Sequence, residues 1–213
     1  MGEPFTFYTR LNLVELLGRT ARNLSELLEG MQSVPGSSIY FHTHRFLQQH
    51  HYMSPEPPND FAFWVTQSMN LDALGEQLSC IDTVQFRRVE DLRQALVRVL
   101  TARRDRGQSM TAVCSEGEEF HFMSCRTFIL PTGQSAVTVA EFLDILKTIS
   151  IDSLYYHVFE SRLRLEKEDN DFSAWFESLG LGPLAKAITR LDPYTITLEG
   201  LRQKIIRLVS FYA

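Results

Sequence analysis

Histidine is concentrated in one short stretch of this chain, at His42, His44, His50 and His51. Histidine is the commonest metal ligand and the usual acid–base side chain near neutral pH. In a helix, however, His42 and His44 point to different sides, and His44 and His51 lie about 10 Å apart on one face. The H-E-x-x-H metal motif is also missing. The spacing therefore predicts no metal site within this stretch alone.

A site can still be assembled from more distant positions: His42, His157 and either Asp60 or Asp171. Such a set would suit a divalent metal or general acid–base chemistry. The simpler interpretation is that His42 and His157 are half-buried, hydrogen-bonded side chains in equivalent places. We assign no catalytic residue and no metal ligand from the sequence, and its cofactor remains unknown.

The elements that would position these residues occur twice in the sequence. A shift of 115 residues aligns Tyr40 with Tyr155 and His42 with His157, and a shift of 111 aligns Trp64 with Trp175. We therefore predict a tandem duplication of a roughly 95-residue multi-helix unit. Copy one would span residues 5–100 and copy two residues 120–210, joined by a polar linker at 101–119.

Helix signals recur at matched places and predict a mainly α fold. Capping boxes start at Asn23 and Thr138, and apolar residues follow each of them at helical spacing. Ser38 and Ser153 (or Asp152) are candidate caps of the next helix. The start of each copy alternates instead, and Pro131 opposes a continuous helix there, so short extended segments are allowed at both starts.

The repeated Asn-Asp-Phe-x-x-Trp motif has two interpretations. In the structural one, Asn59 and Asn170 cap a helix, and Trp64 and Trp175 fill the core. In the functional one, a tryptophan face and a carboxylate line a groove for a sugar or another polar ring. We favour the structural interpretation and predict that both tryptophans are largely buried.

Residues that differ between the copies are the better candidates for ligand binding, because the shared ones already serve packing. Copy two has Phe159 and Glu160 where copy one has His44 and Arg45. An anion could pair with the planar guanidinium of Arg45 and a protonated histidine. We therefore propose a candidate ligand site centred on copy one, which consists of His42, His44, Arg45 and Asp60, with His157 from copy two.

Bulk composition excludes several classes of protein. A net charge of −5 in 213 residues provides no basic field for nucleic acid. The three cysteines form no C-x-x-C pair, and no apolar run is long enough for a membrane helix. With no signal-peptide pattern at the N-terminus, we expect a cytoplasmic protein that binds neither nucleic acid nor membrane; its oligomeric state stays open.

Four stretches of the sequence resemble an uncharacterised bacterial and archaeal domain-of-unknown-function family. They are SIYFHTHRF at 38–46, SPEPPNDF at 54–61, IDTVQF at 81–86 and LDPYTITLEGLR at 191–202. The resemblance covers nearly the whole chain and includes both Tyr-x-His and Asn-Asp-Phe-x-x-Trp repeats. It implies no activity, although it suggests a link to carbohydrate metabolism.

Our functional prediction from these observations is a non-enzymatic binding or regulatory module. Its partner would be a protein or a polar, anionic small molecule. The alternative is a metal-assisted hydrolase or isomerase that uses histidines and aspartates at the junction of the two copies. Common enzyme motifs are missing, including Gly-rich phosphate loops and nucleophile elbows, which favours the first hypothesis.

Overall fold

The computed structural model describes residues 3–49, 59–160, 170–191 and 196–213, without the side chains of 45–49 and 84. The chain forms two compact units. The first unit comprises Leu13–Phe46 and Pro55–Arg126. The second unit comprises Met1–Asn12, Leu47–Ser54 and Thr127–Ala213. Each unit thus takes segments from both halves of the sequence.

Two long strands, β1 (Phe5–Ala21) and β2 (Phe120–Ala136), pair as a two-stranded sheet. The strands are antiparallel, since Thr127 bonds to Asn12 whereas Thr132 bonds to the carbonyl of Phe7. Each unit contains a part of each strand. The aromatic residues that begin β1 belong to the second unit, and those that begin β2 belong to the first.

Helices account for most of the remaining described chain. Between the strands lie α1 (Leu24–Ser33), α2 (Gly36–Gln49), α3 (Asp60–Gln67), α4 (Asp72–Ser79), a 3-10 turn (Thr83–Gln85) and α5 (Val89–Asp105). After β2 come α6 (Val139–Leu146), α7 (Ile151–Tyr155), a π-helical turn (Tyr156–Glu160), α8 (Asp171–Ser178), α9 (Gly182–Thr189) and α10 (Leu198–Val209).

The core of the first unit contains the start of β2. Phe120 and Phe122 are buried among helical residues of the same unit, and the Phe120 ring stacks on Phe61 with centroids 5.2 Å apart. A Cβ atom at Gly30 in α1 would overlap the Phe122 ring. Helix α1 therefore contacts β2 so closely that only glycine fits at this position.

The core of the second unit contains the start of β1 in a corresponding way. Phe5 contacts Phe142 and Phe172, with ring centroids 5.4 and 5.5 Å apart. Phe7 also packs on Phe142, at 5.3 Å. Burial of apolar surface contributes about 25 cal/mol of stabilising free energy for each Å² removed from water. The burial of these rings therefore stabilises the packing of β1 against helices that are distant in the sequence.

The predicted fold class is wrong in its architecture. A tandem pair of complete helical copies requires each compact unit to be built from consecutive residues, whereas both observed units combine the two halves of the chain. The extended starts are also long strands of 17 residues rather than short segments. Local helical periodicity could not reveal this, because it does not indicate which distant segment a strand will pair with or pack against.

Several parts of the segment predicted as a linker, 101–119, are held by the fold. Residues 101–105 continue α5, and the buried Met110 accepts a main-chain hydrogen bond from Ser25. Cys114 donates its main-chain N–H to the carbonyl of Arg22. The division of the sequence at 101–119 stays a prediction, while the compact units have the different bounds given above.

Most predicted helix caps are confirmed. The side chains of Asn23, Asn59, Thr138 and Asn170 each accept a main-chain N–H of the following turn. Ser38 and Ser153 are not caps: α2 already begins at Gly36, and Ser150 caps α7. A serine one turn further along offers the same local sequence signal, so its choice depends on tertiary packing.

The two tryptophans are buried, as predicted. Trp64 is 5% exposed and Trp175 is 7% exposed. Their indole N–H groups donate to the carbonyls of Glu118 and Glu3, at 2.6 and 3.0 Å. Each indole thus binds the main chain that leads into a strand, in addition to filling the core.

Candidate functional site

His42 in α2 joins three elements of the first unit. Its Nδ1 lies 2.8 Å from Oδ2 of Asp60, the first residue of α3. Its Nε2 accepts the main-chain N–H of Met123 in β2, at 2.9 Å. The ring is 3% exposed and packs 4.7 Å from Phe120 and 5.3 Å from Phe61. The structure therefore brings His42 and Asp60 together, as two members of the predicted site.

His157 makes the corresponding contacts in the second unit. Its Nδ1 lies 2.8 Å from Oδ2 of Asp171, the first residue of α8. Its Nε2 accepts the main-chain N–H of Tyr8 in β1, at 2.8 Å. The ring is 2% exposed and stacks on Phe172, with centroids 5.5 Å apart. His157 is thus described with Asp171 and β1, in a different unit from His42.

These contacts define the tautomer of both histidines. A ring nitrogen that accepts a main-chain N–H carries no proton, so Nε2 is the unprotonated atom and Nδ1–H donates to the carboxylate. Both nitrogens of His42, and both of His157, are therefore engaged in hydrogen bonds that join helices to a strand. A metal ligand needs a nitrogen lone pair, and in both rings the Nε2 lone pair is directed at the strand.

The remaining members of the predicted site are arranged differently. The His44 ring is 3% exposed, lies parallel to Tyr40 at 4.8 Å, and its Nδ1 is 2.8 Å from Oγ1 of Thr43. Arg45 lies in α2, but its side chain is outside the described part, as are His50 and His51. The contrast between His44 and Phe159 thus involves buried positions in both units.

A buried cation that the sequence analysis missed lies in β1. The Arg10 guanidinium donates to Oε2 of Glu160 at 2.8 Å and lies over the Tyr155 ring, 4.2 Å from its centroid. The Arg10 side chain is 1% exposed, so both the ion pair and the ring compensate its removal from water. An arginine inside an alternating strand was the one available signal.

Two further buried arginines, also missed as individual residues, complete helix ends. Arg93 Nη1 donates to the carbonyls of Met31 and Val34, at 2.6 and 2.8 Å. Arg202 Nη1 donates to the carbonyl of Ile149 at 2.7 Å. The last carbonyls of a helix have no partner within the helix, so these guanidinium groups satisfy carbonyls in the last turn of α1 and just after α1 and α6.

An open groove lies between α8 and α9 of the second unit. Its volume is about 370 Å³, and it is lined by Ser173, Glu177, Ala185, Lys186, Thr189 and Arg190. Ser173 and Ala185 are buried and form its floor, while the three charged side chains are exposed. A groove of this size suits a small ligand.

The charged groups of the groove are available for binding. Within the described residues, Lys186, Arg190 and Glu177 form no ion pair with one another or with other side chains. Lys186 and Arg190 are one helical turn apart and therefore share a face of α9. Two neighbouring cations above a partly apolar floor form an arrangement that favours an anionic group.

The helix pair α3 and α4 of the first unit lacks both features. When α4 and α9, each eight residues long, are matched from their first residues, Glu76 occupies the place of Lys186. A Cβ atom at Gly75 in α4 would overlap Thr66 Oγ1 in α3, so these helices approach closely. The open, cationic groove is thus a particular feature of α8 and α9.

Across the described ranges, no group of three or more His, Cys, Asp or Glu side chains comes together in a way that could hold a metal ion. Among the same residues, no helix is long and apolar enough to cross a membrane. The thiol of Cys114 has a shifted pKa: burial, reinforced by Glu119, raises the pKa of Cys114 above its ordinary value.

The fold and this geometry define a mixed α and β protein in which a buried histidine, paired with an aspartate, binds a strand in each of two units. The chain belongs to a family of unknown function, DUF5752, whose family model matches residues 2–210. The prediction of a family of unknown function is thereby confirmed; the repeat motifs assigned to it and its bacterial and archaeal occurrence stay predictions.

A solved structure, described as the structure of OrfY from Thermoproteus tenax, is similar to this chain. The two share 32% sequence identity with a TM-score of 0.83, over 98% of this chain and 95% of the other. No curated protein matches the chain. These similarities support the fold strongly and leave the function to be inferred from the site.

Proposed function

We propose that this protein is a non-enzymatic binding module for a polar, anionic small molecule, with its ligand in the groove between α8 and α9. The main observation in support of this proposal is a pair of exposed cations, Lys186 and Arg190, which have no ion-pair partner among the described residues. An arginine guanidinium and a lysine ammonium together suit a phosphate or carboxylate. The predicted link to carbohydrate metabolism makes sugar phosphates reasonable first probes, and the cytoplasmic location stays a prediction.

A thermal-shift screen followed by calorimetry tests this proposal. The panel contains inorganic phosphate, sugar phosphates and small carboxylic acids, measured on the parent and on Lys186→Met/Arg190→Met. We expect hits on the parent and at least a tenfold weaker affinity in the double variant. Lys204→Met is the matched control, because Lys204 is an exposed lysine of α10 outside the groove. If a ligand stabilises the parent and the double variant equally, the proposal that it binds in this groove is refuted.

The placement predicted from sequence, on His42, His44, Arg45, Asp60 and His157, remains a second hypothesis. One observation favours part of it: the Asp60 side chain is 47% exposed while it bonds to His42, so its carboxylate can still accept a contact from a ligand. The same panel tests it on His44→Phe/Arg45→Glu, where the ligand-induced shift is compared with that of the parent. A shift of the same size in both proteins counts against this placement.

The alternative of a metal-assisted hydrolase or isomerase finds less support. It depends on histidine nitrogens and aspartates, and the ring nitrogens of His42 and His157 are already engaged with a carboxylate and a strand. Reactivity at these rings would require the strands to lose those bonds. Elemental analysis of the purified protein tests the hypothesis directly, because a stoichiometric divalent metal would revive it.

A further inference from the structure

We infer that the groove between α8 and α9 selects a dipolar ligand, which carries an anionic group at one end and an ammonium group at the other. This inference rests on the proposed function and defines its ligand class. The groove combines two cations on one side with the Glu177 carboxylate on the other, and all three are without ion pairs within the described residues. A simple anion would be attracted by the cations but repelled by Glu177.

The positions of the charges support this division. The carboxylate of Glu177 lies beside the first residue of α9, since a Cβ atom at Gly182 would be 3.3 Å from its Oε2. Lys186 and Arg190 follow four and eight residues later, about 6 and about 12 Å further along the helix axis. The negative and positive groups of the groove are therefore separated along α9 rather than mixed.

Within the described residues, the three charged side chains form no ion pair with one another. Lysine and arginine side chains in a helix lean towards its N-terminus, which brings the Lys186 ammonium towards Glu177 while the Arg190 guanidinium stays further away. A ligand that lies along the groove can place its anionic group between the two cations and its ammonium at Glu177. The buried Ala185 below it offers an apolar surface for the connecting carbon atoms.

The other helix pair provides the internal comparison. Glu76 occupies the place of Lys186 in α4, and Thr66 contacts Gly75 at the surface where the groove would open. That arrangement offers neither the cationic end nor the space. A dipolar ligand is thus expected to bind between α8 and α9 and not between α3 and α4.

The experiment compares three probes of similar size: 4-aminobutyrate, butyrate and butylamine, with 6-aminohexanoate as a longer dipolar probe. Binding is measured by ligand-observed NMR titration on the parent chain. We expect a dipolar probe to bind about fivefold more tightly than either single-charge probe, as one added exposed ion pair would provide. In Glu177→Gln this advantage should disappear while the affinity for butyrate rises or stays the same, whereas Glu76→Gln should preserve it.

The possible results separate the two proposals. One result would be that butyrate binds the parent but not Lys186→Met/Arg190→Met, while neither dipolar probe binds the parent more tightly than butyrate. The groove is then an anion site, and the dipolar inference is overturned. If Glu177→Gln retains the full advantage of a dipolar probe, the inference is likewise overturned. If no probe here and no anion in the earlier panel binds the parent, the proposed function itself fails.

Discussion

His42 in α2 accepts the main-chain N–H of Met123 in β2, with 2.9 Å between Nε2 and the nitrogen. The bond is made by the neutral ring, whose Nδ1–H donates to Asp60. It joins residues that are 81 positions apart in the sequence. His157 and Tyr8 form the same relationship in the second unit, over 149 positions.

Replacement of His42 by leucine should destabilise the chain by about 1–3 kcal/mol, because the partly buried N–H of Met123 would lose its acceptor. His42→Gln should recover a part of this loss, since the glutamine amide oxygen can approximate the position of Nε2. Urea unfolding, monitored by tryptophan fluorescence, measures the free energy of unfolding of both variants. His121→Leu is the control at an exposed histidine of β2. Equal stability of His42→Leu and His121→Leu would contradict the structural role.

Arg93→Met should cost about 1.5–3 kcal/mol in the free energy of unfolding, because it leaves the carbonyls of Met31 and Val34 without their charged donor. Arg93→Lys should recover only a part of it, since one ammonium does not reproduce the planar guanidinium. The control is Arg98→Met, an exposed arginine of the same helix. If Arg93→Met and Arg98→Met have the same melting temperature, Arg93 does not have this stabilising role.

Gly30→Ala should destabilise the first unit by about 1–3 kcal/mol through overlap with the Phe122 ring. Gly36→Ala is the matched control, because a Cβ atom there would lie at an ordinary 3.8 Å from Val89 Cγ1. Combination of Gly30→Ala with Phe122→Leu should cost less than the sum of the two single changes, since a smaller side chain relieves the overlap. Additive losses in denaturant unfolding would argue against the contact.

Cys114 should react slowly with iodoacetamide, whereas Cys80 should react readily. Cys114 is buried and its pKa is raised, so at pH 8 its reactive thiolate is scarcer than for an ordinary cysteine, and its labelling should continue to rise as the pH increases beyond the usual thiol range. Mass spectrometry of labelled peptides distinguishes the sites. In strong urea, Cys114 and Cys80 should be labelled at the same rate. If Cys114 in the native protein is labelled as fast as Cys80, its thiol is accessible and the prediction is wrong.

Sequence patterns predicted those features that depend on neighbouring residues. Asn59 and Asn170 cap helices because the acceptor, the turn and the apolar residues lie within a few positions. Burial of Trp64 and Trp175 followed from the same short motif. Within the candidate site, the proximity of His42 and Asp60 was also predicted, although what the pair binds was not: its third partner is a main-chain N–H, which carries no sequence signature.

Long-range packing was beyond the reach of these patterns. Phe5 and Phe7 alternate as in any strand, and nothing in that alternation indicates that their partners are Phe142 and Phe172. The groove was missed for a related reason. Lys186 and Arg190 resemble ordinary exposed helix charges, and only the positions of surrounding side chains show that they line a concave surface.

The crossed origin of the two units has a consequence for how the protein is made. The ribosome synthesises β1 before the helices of the second unit, and Phe5 and Phe7 find their aromatic partners only once residues near 142 and 172 have been synthesised. The core of the first unit is also incomplete until β2 has been synthesised, because Phe120 and Phe122 are part of that core. The aromatic start of β1 therefore stays without its partners while more than 130 intervening residues are synthesised, so formation of its core contacts depends on pairing between segments far apart in the chain.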